Sequence, residues 1–192
     1  MVDIGSLSAE TALSSAVTGP MLRASGVNWD LRKARPYMGY EQYEFDVPVL
    51  QEGDTYARYL VRIEELRQTL RIVEQALNKL PMGPVRSENR KFVPPPRSEI
   101  GVSMEALIHH FKLWTEAFPA PDADIYAAVE SPRGELGVLL AGDGGPKPRR
   151  VHMRTPSFDN LAVFPEMVKG HLVADLVAIL ASTDIVLGDI DR

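Results

Sequence analysis

Apolar residues recurring at three- and four-residue steps mark the longest element of the chain. Tyr56, Tyr59, Leu60, Ile63, Leu66, Leu70, Val73, Leu77 and Leu80 form one stripe, with Arg62, Glu64, Glu65, Arg67 and Arg71 over the rest of the surface. The spacing predicts a helix capped by Asp54 and stopped by Pro81 and Gly83, with the stripe as core. A second stripe, Met104, Leu107, Ile108, Phe111, Trp114 and Phe118, predicts an amphipathic helix capped by Ser103. Ser8, with Glu10 in the first turn, opens a short helix near the start.

From Asp124 the period changes to two. Ile125, Ala127 and Val129 alternate with Tyr126, Ala128 and Glu130, then Leu136, Val138 and Leu140 follow. Ser131-Pro-Arg-Gly134 between them has turn chemistry, so a hairpin is predicted. Gly142 to Pro146 turns the chain into a further strand near Arg149 to Arg154. Ser157 suits the cap of a short helix and Pro165 the first turn of the final one. In that last helix Leu172, Val173, Leu176, Val177, Ile179 and Leu180 leave no wide polar face, which predicts the most buried helix of the fold. His171 and Asp175, four residues apart within it, are spaced to pair.

These elements give an α+β class, mainly α, with one small antiparallel sheet. With 192 residues and 45% hydrophobic side chains the chain reads as one domain, 1-192, carrying the sheet at 124-154 and a Pro-rich extended arm at 81-100. The acidic balance, 26 acidic against 21 basic side chains, and the lack of any Lys or Arg run speak against nucleic acid. With no cysteine, disulfides and thiolate metal sites are excluded. The apolar run near Leu172 to Ala181 is too short to span a bilayer, and Met1 to Gly5 does not read as a signal peptide, so membrane contact is expected only through partners. Neither glycine-rich stretch is a phosphate loop, since no Gly-Lys-Ser/Thr element is present. Adjacent His109 and His110 point about 100° apart on a helix and cannot chelate one ion as an i, i+4 pair does.

The candidate chemistry lies at the carboxy end, where the apolar run gives way at Thr183 to Asp184-Ile-Val-Leu-Gly-Asp-Ile-Asp-Arg192. A buried helix that delivers carboxylates to its own tip points to a site there, because buried charge is costly unless paired or used. The alternative is a solvated terminus.

The strings Thr18 to Val27, Trp29-Asp-Leu-Arg-Lys33, Pro36-Tyr37 and Tyr43-Glu-Phe-Asp-Val-Pro48 closely resemble the 49-kDa subunit (the D subunit) of respiratory complex I, over the carboxy-terminal half of that family only. The ending resembles the related nickel-iron hydrogenase large subunits, which close on Asp-Pro-Cys-x-x-Cys-x-x-His. Asp184 falls on the Asp, Ile185 on the Pro, Val186 and Asp189 on the two Cys, and Arg192 on the His. The frame is kept and the thiolates are gone, so a nickel-iron centre is excluded on chemistry. Leu187 and Asp189 stand where the family usually has Phe and Glu.

The resemblance implies the carboxy-terminal half of a hydrogenase-large-subunit-like fold and a place in a proton-translocating NADH:quinone oxidoreductase on the cytoplasmic side of the cell membrane. It implies that Asp184, Val186 and Arg133 edge a quinone cavity, with Asp189 and Arg192 as supporting charge. No cofactor would be held by this chain. Quinone is the substrate, an iron-sulfur cluster sits on a neighbouring subunit, and the partners include that subunit and the family's amino-terminal half. An inert hydrogenase-like scaffold or fragment, or the equivalent subunit of a ferredoxin- or F420-linked dehydrogenase, is the alternative.

Overall fold

A computed structural model describes residues 1–191. The chain packs as two compact units. Among the described residues the first comprises 1–80, 127–138 and 153–191; the second comprises 81–126 and 139–152.

The first unit gathers short helices around one long one. Helix α1 (Ala9–Ser14) starts where Ser8 accepts from the Thr11 amide, and α2 (Pro20–Ala24) begins on Pro20. After α3 (Leu31–Ala34), capped by Asp30, and a 3-10 turn at Tyr40–Gln42 comes α4 (Thr55–Asn78). The Asp54 carboxylate caps α4 by accepting from the Ala57 amide at 2.7 Å, as its position in the sequence leads one to expect. Later come α7 (Pro156–Ala162), α8 (Phe164–Met167), α9 (Asp175–Thr183) and α10 (Leu187–Ile190). The core joins Leu7, Ala12, Val17, Met21 and Leu22 from the start of the chain to Val163, Met167 and Ile179 near its other end.

The second unit contains α5 (Arg97–Ile100) and α6 (Met104–Thr115), the latter capped by Ser103 as expected. Residues 81–96 ahead of them form no regular helix or strand. Phe92 meets Phe118 edge to face at 4.9 Å, which ties the Pro-rich stretch to the chain just beyond α6. Strands β1 (Asp124–Ser131), β2 (Gly134–Ala141) and β3 (Arg150–Arg154) pair in the order β1-β2-β3, antiparallel. An α+β architecture with one small sheet is therefore present.

Five expectations need correction. The apolar stripe of α4 does not face the core: Leu66 is 61% and Leu70 69% exposed, and Val73 and Leu77 are exposed as well. The buried or half-buried positions include Arg58, Val61, Arg62, Glu65, Gln68, Ile72 and Gln75, a largely polar row on the other side. Periodicity located the stripe but not its direction. The polar face turns inward because it meets backbone groups that need partners. Gln68 Oε1 accepts from the Asp46 amide, Gln75 Oε1 accepts from the Glu44 amide, and Gln75 Nε2 donates to the Glu44 carbonyl.

The last apolar helix is short and not the most buried. Gly170, at φ +80, breaks the chain after α8, so Pro165 opens that four-residue helix and α9 begins only at Asp175. Val173 is 83% exposed, and within α9 only Ile179 and Thr183 are buried. His171 and Asp175 do not pair. His171 Nε2 accepts from the Gly5 amide at 3.1 Å, and the Asp175 carboxylate accepts from the Leu172 amide at 3.1 Å. Ser157 does not cap α7; Thr155 occupies the cap position, Pro156 the first turn, and the Ser157 hydroxyl is free to bond elsewhere.

Candidate functional site

Helix α9 ends on Asp184, which takes a left-handed conformation (φ 51, ψ 48) and closes the helix through its amide to the Ala181 carbonyl. A short polar side chain tolerates that region better than most residues other than glycine. The turn carries the chain sideways, and the carboxylate meets Arg133 at the tip of the β1–β2 hairpin. Arg133 Nε donates to the Asp184 carbonyl at 2.7 Å, and its Nη2 reaches Oδ1 at 3.4 Å. The structure thus joins two residues, 51 positions apart, that the sequence singled out separately. Both side chains keep roughly a third or more of their surface in contact with solvent, so the pair contributes more to orientation than to stability.

The tip owes its place to backbone packing. Gly134 is buried at φ +138, and a Cβ on Gly19 would meet the Gly134 Cα at 2.5 Å and the Arg133 carbonyl at 2.6 Å. No side chain fits at either position. Thr18 Oγ1 accepts from the Glu135 amide, and Asn160 Nδ2 donates to the Arg133 carbonyl at 3.1 Å. The glycine and threonine of the first loop and the helix after β3 therefore hold the hairpin from two sides.

Beyond Asp184, Val186 is half-buried at the cap position of α10, and its amide donates to Ser157 Oγ at 3.3 Å. The same hydroxyl donates to Asp189 Oδ2 at 3.0 Å, while Thr155 Oγ1 donates to the Asp189 carbonyl at 2.5 Å. Val186 and Asp189 are thus anchored together at the start of α7. Arg192, the other supporting charge expected at this site, lies outside the described residues.

A larger set of charges escaped the sequence reading. Arg23, 1% exposed, donates to Glu65 at 2.7 Å, to Glu130 at 2.8 Å and to the Trp29 carbonyl at 2.8 Å. Asp30, also buried, is held by Arg32 at 2.6 Å. Glu130 Oε2 accepts from the Leu31 amide, and the Glu130 amide donates to the Tyr37 hydroxyl. Burial pushes the Arg23 guanidinium down, but Glu65 and Glu130 outweigh it and the net shift is upward. Burial likewise raises Asp30, yet the Arg32 hydrogen bond and the charges of Arg32 and Arg23 take it below the usual carboxylate range. For Glu65 burial wins over Arg23, and its carboxyl is raised.

Arg58 is another buried cation. It donates to the Gly53 and Gly5 carbonyls, Thr55 Oγ1 and Ser182 Oγ, and burial with the neighbouring charge of Arg62 pushes it down to about 10. Arg62 and Glu65 follow Arg58 at steps of four and three residues, and their polarity assigned these two to solvent in the sequence.

No group of three or more His, Cys, Asp or Glu side chains that could hold a metal exists among the described residues. A cavity of about 870 Å³ lies along the Pro-rich stretch, with Arg86, Val93, Pro94, Glu99 and His109 in its wall. Asp184, Arg133 and Val186 line neither it nor the smaller cavity beside Trp114.

The family described as the 49 Kd subunit of respiratory-chain NADH dehydrogenase matches residues 1–192. This chain belongs to that family. It is 57% identical to the second of the D subunits of NADH-quinone oxidoreductase in Roseiflexus sp. (strain RS-1) over 192 residues, covering 98% of this chain and 46% of the relative. It is 53% identical to the corresponding NADH-quinone oxidoreductase chain of Ehrlichia chaffeensis over 191 residues, covering all of this chain and 49% of the relative. It is 53% identical to the mitochondrial NADH-ubiquinone oxidoreductase 49 kDa subunit of Neurospora crassa over 189 residues, covering 98% and 40%. The chain spans about half the length of these 49 kDa relatives or less. No described helix is long and apolar enough to cross a membrane.

Proposed function

We propose that this chain forms the carboxy-terminal half of a hydrogenase-large-subunit-like fold in an NADH:quinone oxidoreductase, and that the Arg133–Asp184 corner edges its quinone cavity. The arrangement that carries the reading is the left-handed cap at Asp184, which turns a carboxylate onto the guanidinium at the hairpin tip. Quinone reduction consumes two electrons and two protons and converts carbonyl oxygens into hydroxyls. Electrons arrive from an iron-sulfur cluster on a neighbouring subunit. Arg133 offers donors to a developing oxyanion, and Asp184 balances that cation and holds or passes a proton at the cavity edge. Val186 supplies an apolar wall for the ring, and Asp189, fixed by Ser157, keeps that wall in place. The whole assembly sits at the cytoplasmic face of the membrane, with contact made through partner chains.

Asp184→Asn in the whole complex tests this. Asparagine tolerates the left-handed cap, so the substitution removes charge with little backbone strain. Quinone reductase activity is expected to fall while the assembled complex and electron transfer to an artificial acceptor upstream of the quinone persist. Normal quinone turnover at normal complex levels would refute the assignment.

A further inference from the structure

Helix α7 supplies none of the groups assigned to quinone chemistry, yet one turn of it holds both halves of the site. Ser157 and Asn160, three residues apart and so neighbours on one face of the helix, are each 1% exposed. The Ser157 hydroxyl serves the segment just beyond Asp184, accepting from the Val186 amide at 3.3 Å and donating to Asp189 Oδ2 at 3.0 Å. Asn160 serves the hairpin tip, where its Nδ2 donates to the Arg133 carbonyl at 3.1 Å. Its Oδ1 is buried and has no partner among the described residues. A half-paired amide is a costly way to fill space, since an apolar side chain of similar size does so without an orphaned acceptor. What the amide adds is one donor aimed at one carbonyl. The first loop presses on the same carbonyl, because a Cβ on Gly19 would lie 2.6 Å from it.

We propose that Asn160 is a positioning residue for quinone reduction: by holding the Arg133 carbonyl it fixes where the guanidinium stands relative to Asp184 and to a quinone oxygen. This rests on the site assignment above. The far end of the Arg133 side chain is oriented by Asp184, through the 2.7 Å bond from Nε to the carbonyl and the 3.4 Å contact to the carboxylate. Asn160 fixes the other end, the backbone from which that side chain springs. Ser157 anchors Val186 from the same turn of α7, so this turn sets the spacing between the cation and the apolar wall. A donor fixed where negative charge develops acts more strongly in the transition state than on the bound substrate. A displaced Arg133 therefore costs turnover more than quinone affinity.

The test reads quinone kcat and KM per assembled complex in single and double variants. Asn160→Ala should lower kcat roughly tenfold and leave KM within about twofold of its original value. A purely structural residue would instead reduce the amount of assembled complex and leave turnover per complex alone. In an Arg133→Gln background, which lowers turnover by itself, Asn160→Ala should add nothing. Unchanged kcat in Asn160→Ala overturns the proposal, as does an equal fall with and without the Arg133 guanidinium. If Asn160→Ala does not assemble, Asn160→Leu decides, since it fills similar space with neither the donor nor the orphaned acceptor. A fall of about tenfold in its kcat supports the role, and wild-type kcat counts against it. Wild-type turnover in Arg133→Gln alone would instead sink the site assignment itself.

Discussion

Arg23 Nη1 and Glu130 Oε1 lie 2.8 Å apart across 107 residues of chain, both side chains shut off from water. The pair joins α2 to the strand whose end leads into Arg133, and Glu65 joins both to α4. The buried charges thus tie α2, α4 and the strand that leads to Arg133 to one another.

Breaking this pair one side at a time should be severe. Arg23→Met leaves Glu65 and Glu130 buried without their cation, and a loss of about 3–5 kcal/mol is expected from denaturant unfolding. Arg67→Met removes an exposed i, i+3 partner of Glu64 on the same helix and should leave the unfolding midpoint nearly unchanged, because solvent screens the pair. Equal small effects from both would show that the buried cluster carries no particular weight.

Two carboxyls of this cluster should pull in opposite directions with pH. Asp30 is lowered in the folded protein, so its contribution is present above about pH 4 and is lost as pH falls through the lower folded value. Glu65 is raised, so its contribution is present below its unfolded value and is lost as pH rises through the folded one. Asp30→Asn should therefore flatten the acid side of a stability-against-pH curve, and Glu65→Gln should flatten the side just above it. A change of the opposite slope in either variant contradicts the assigned direction.

Gly134→Ala should distort the hairpin tip. The residue has φ +138, and a Cβ there would collide with Thr18 Oγ1 and lie 2.9 Å from the Thr18 carbonyl carbon. A cost of about 1–3 kcal/mol is expected, measured as a lower melting temperature. Gly144→Ala is a weaker control, since its Cβ meets nothing within 4 Å. A Gly134→Ala protein as stable as the original would mean that the close approach is relaxed at little cost.

Val186→Met leaves the charges intact and enlarges a half-buried side chain beside the cap. In the complex it should alter sensitivity to quinone-site inhibitors while turnover with quinone changes much less. Identical inhibitor profiles would remove Val186 from the cavity wall.

The outward stripe of α4 predicts the behaviour of the chain on its own. Leu66, Leu70, Val73 and Leu77 form a contiguous exposed apolar face, as do Leu107, Phe111 and Trp114 on α6. The isolated chain should bind a hydrophobic dye or aggregate. Leu66→Gln with Leu70→Gln should reduce dye binding without lowering the unfolding midpoint. A sharply melting monomer that ignores the dye would be incompatible with the exposed stripe.

Local features were the legible part of this fold. Asp54, Ser8 and Ser103 cap helices because each needs only an amide three residues ahead, and the Ser131 to Gly134 turn is written in its own proline and glycine. The extent of α9 was overread because a continuous apolar run resembles a buried helix whether or not anything covers it. The direction of α4 was misread for a related reason: a helix shows its stripe in sequence, but which side faces inward depends on what meets it. At the site, Asp184 and Arg133 stood out by position in the motif and the turn. Arg23, Glu65, Glu130 and Arg62 did not, since isolated charges in amphipathic elements ordinarily face water.

The first unit is knitted from its two ends. Gly5 bonds His171, Arg58 bonds Ser182, and Leu7 and Met21 share a core with Met167 and Ile179. During synthesis none of these partners exists until the last part of this stretch leaves the ribosome. At the usual pace of translation the interval between α4 and α9 is on the order of ten seconds. Throughout it Arg58 lacks its Ser182 acceptor and Leu7 and Met21 lack Met167 and Ile179, so the core of this unit cannot close around the long helix until its last helices are made.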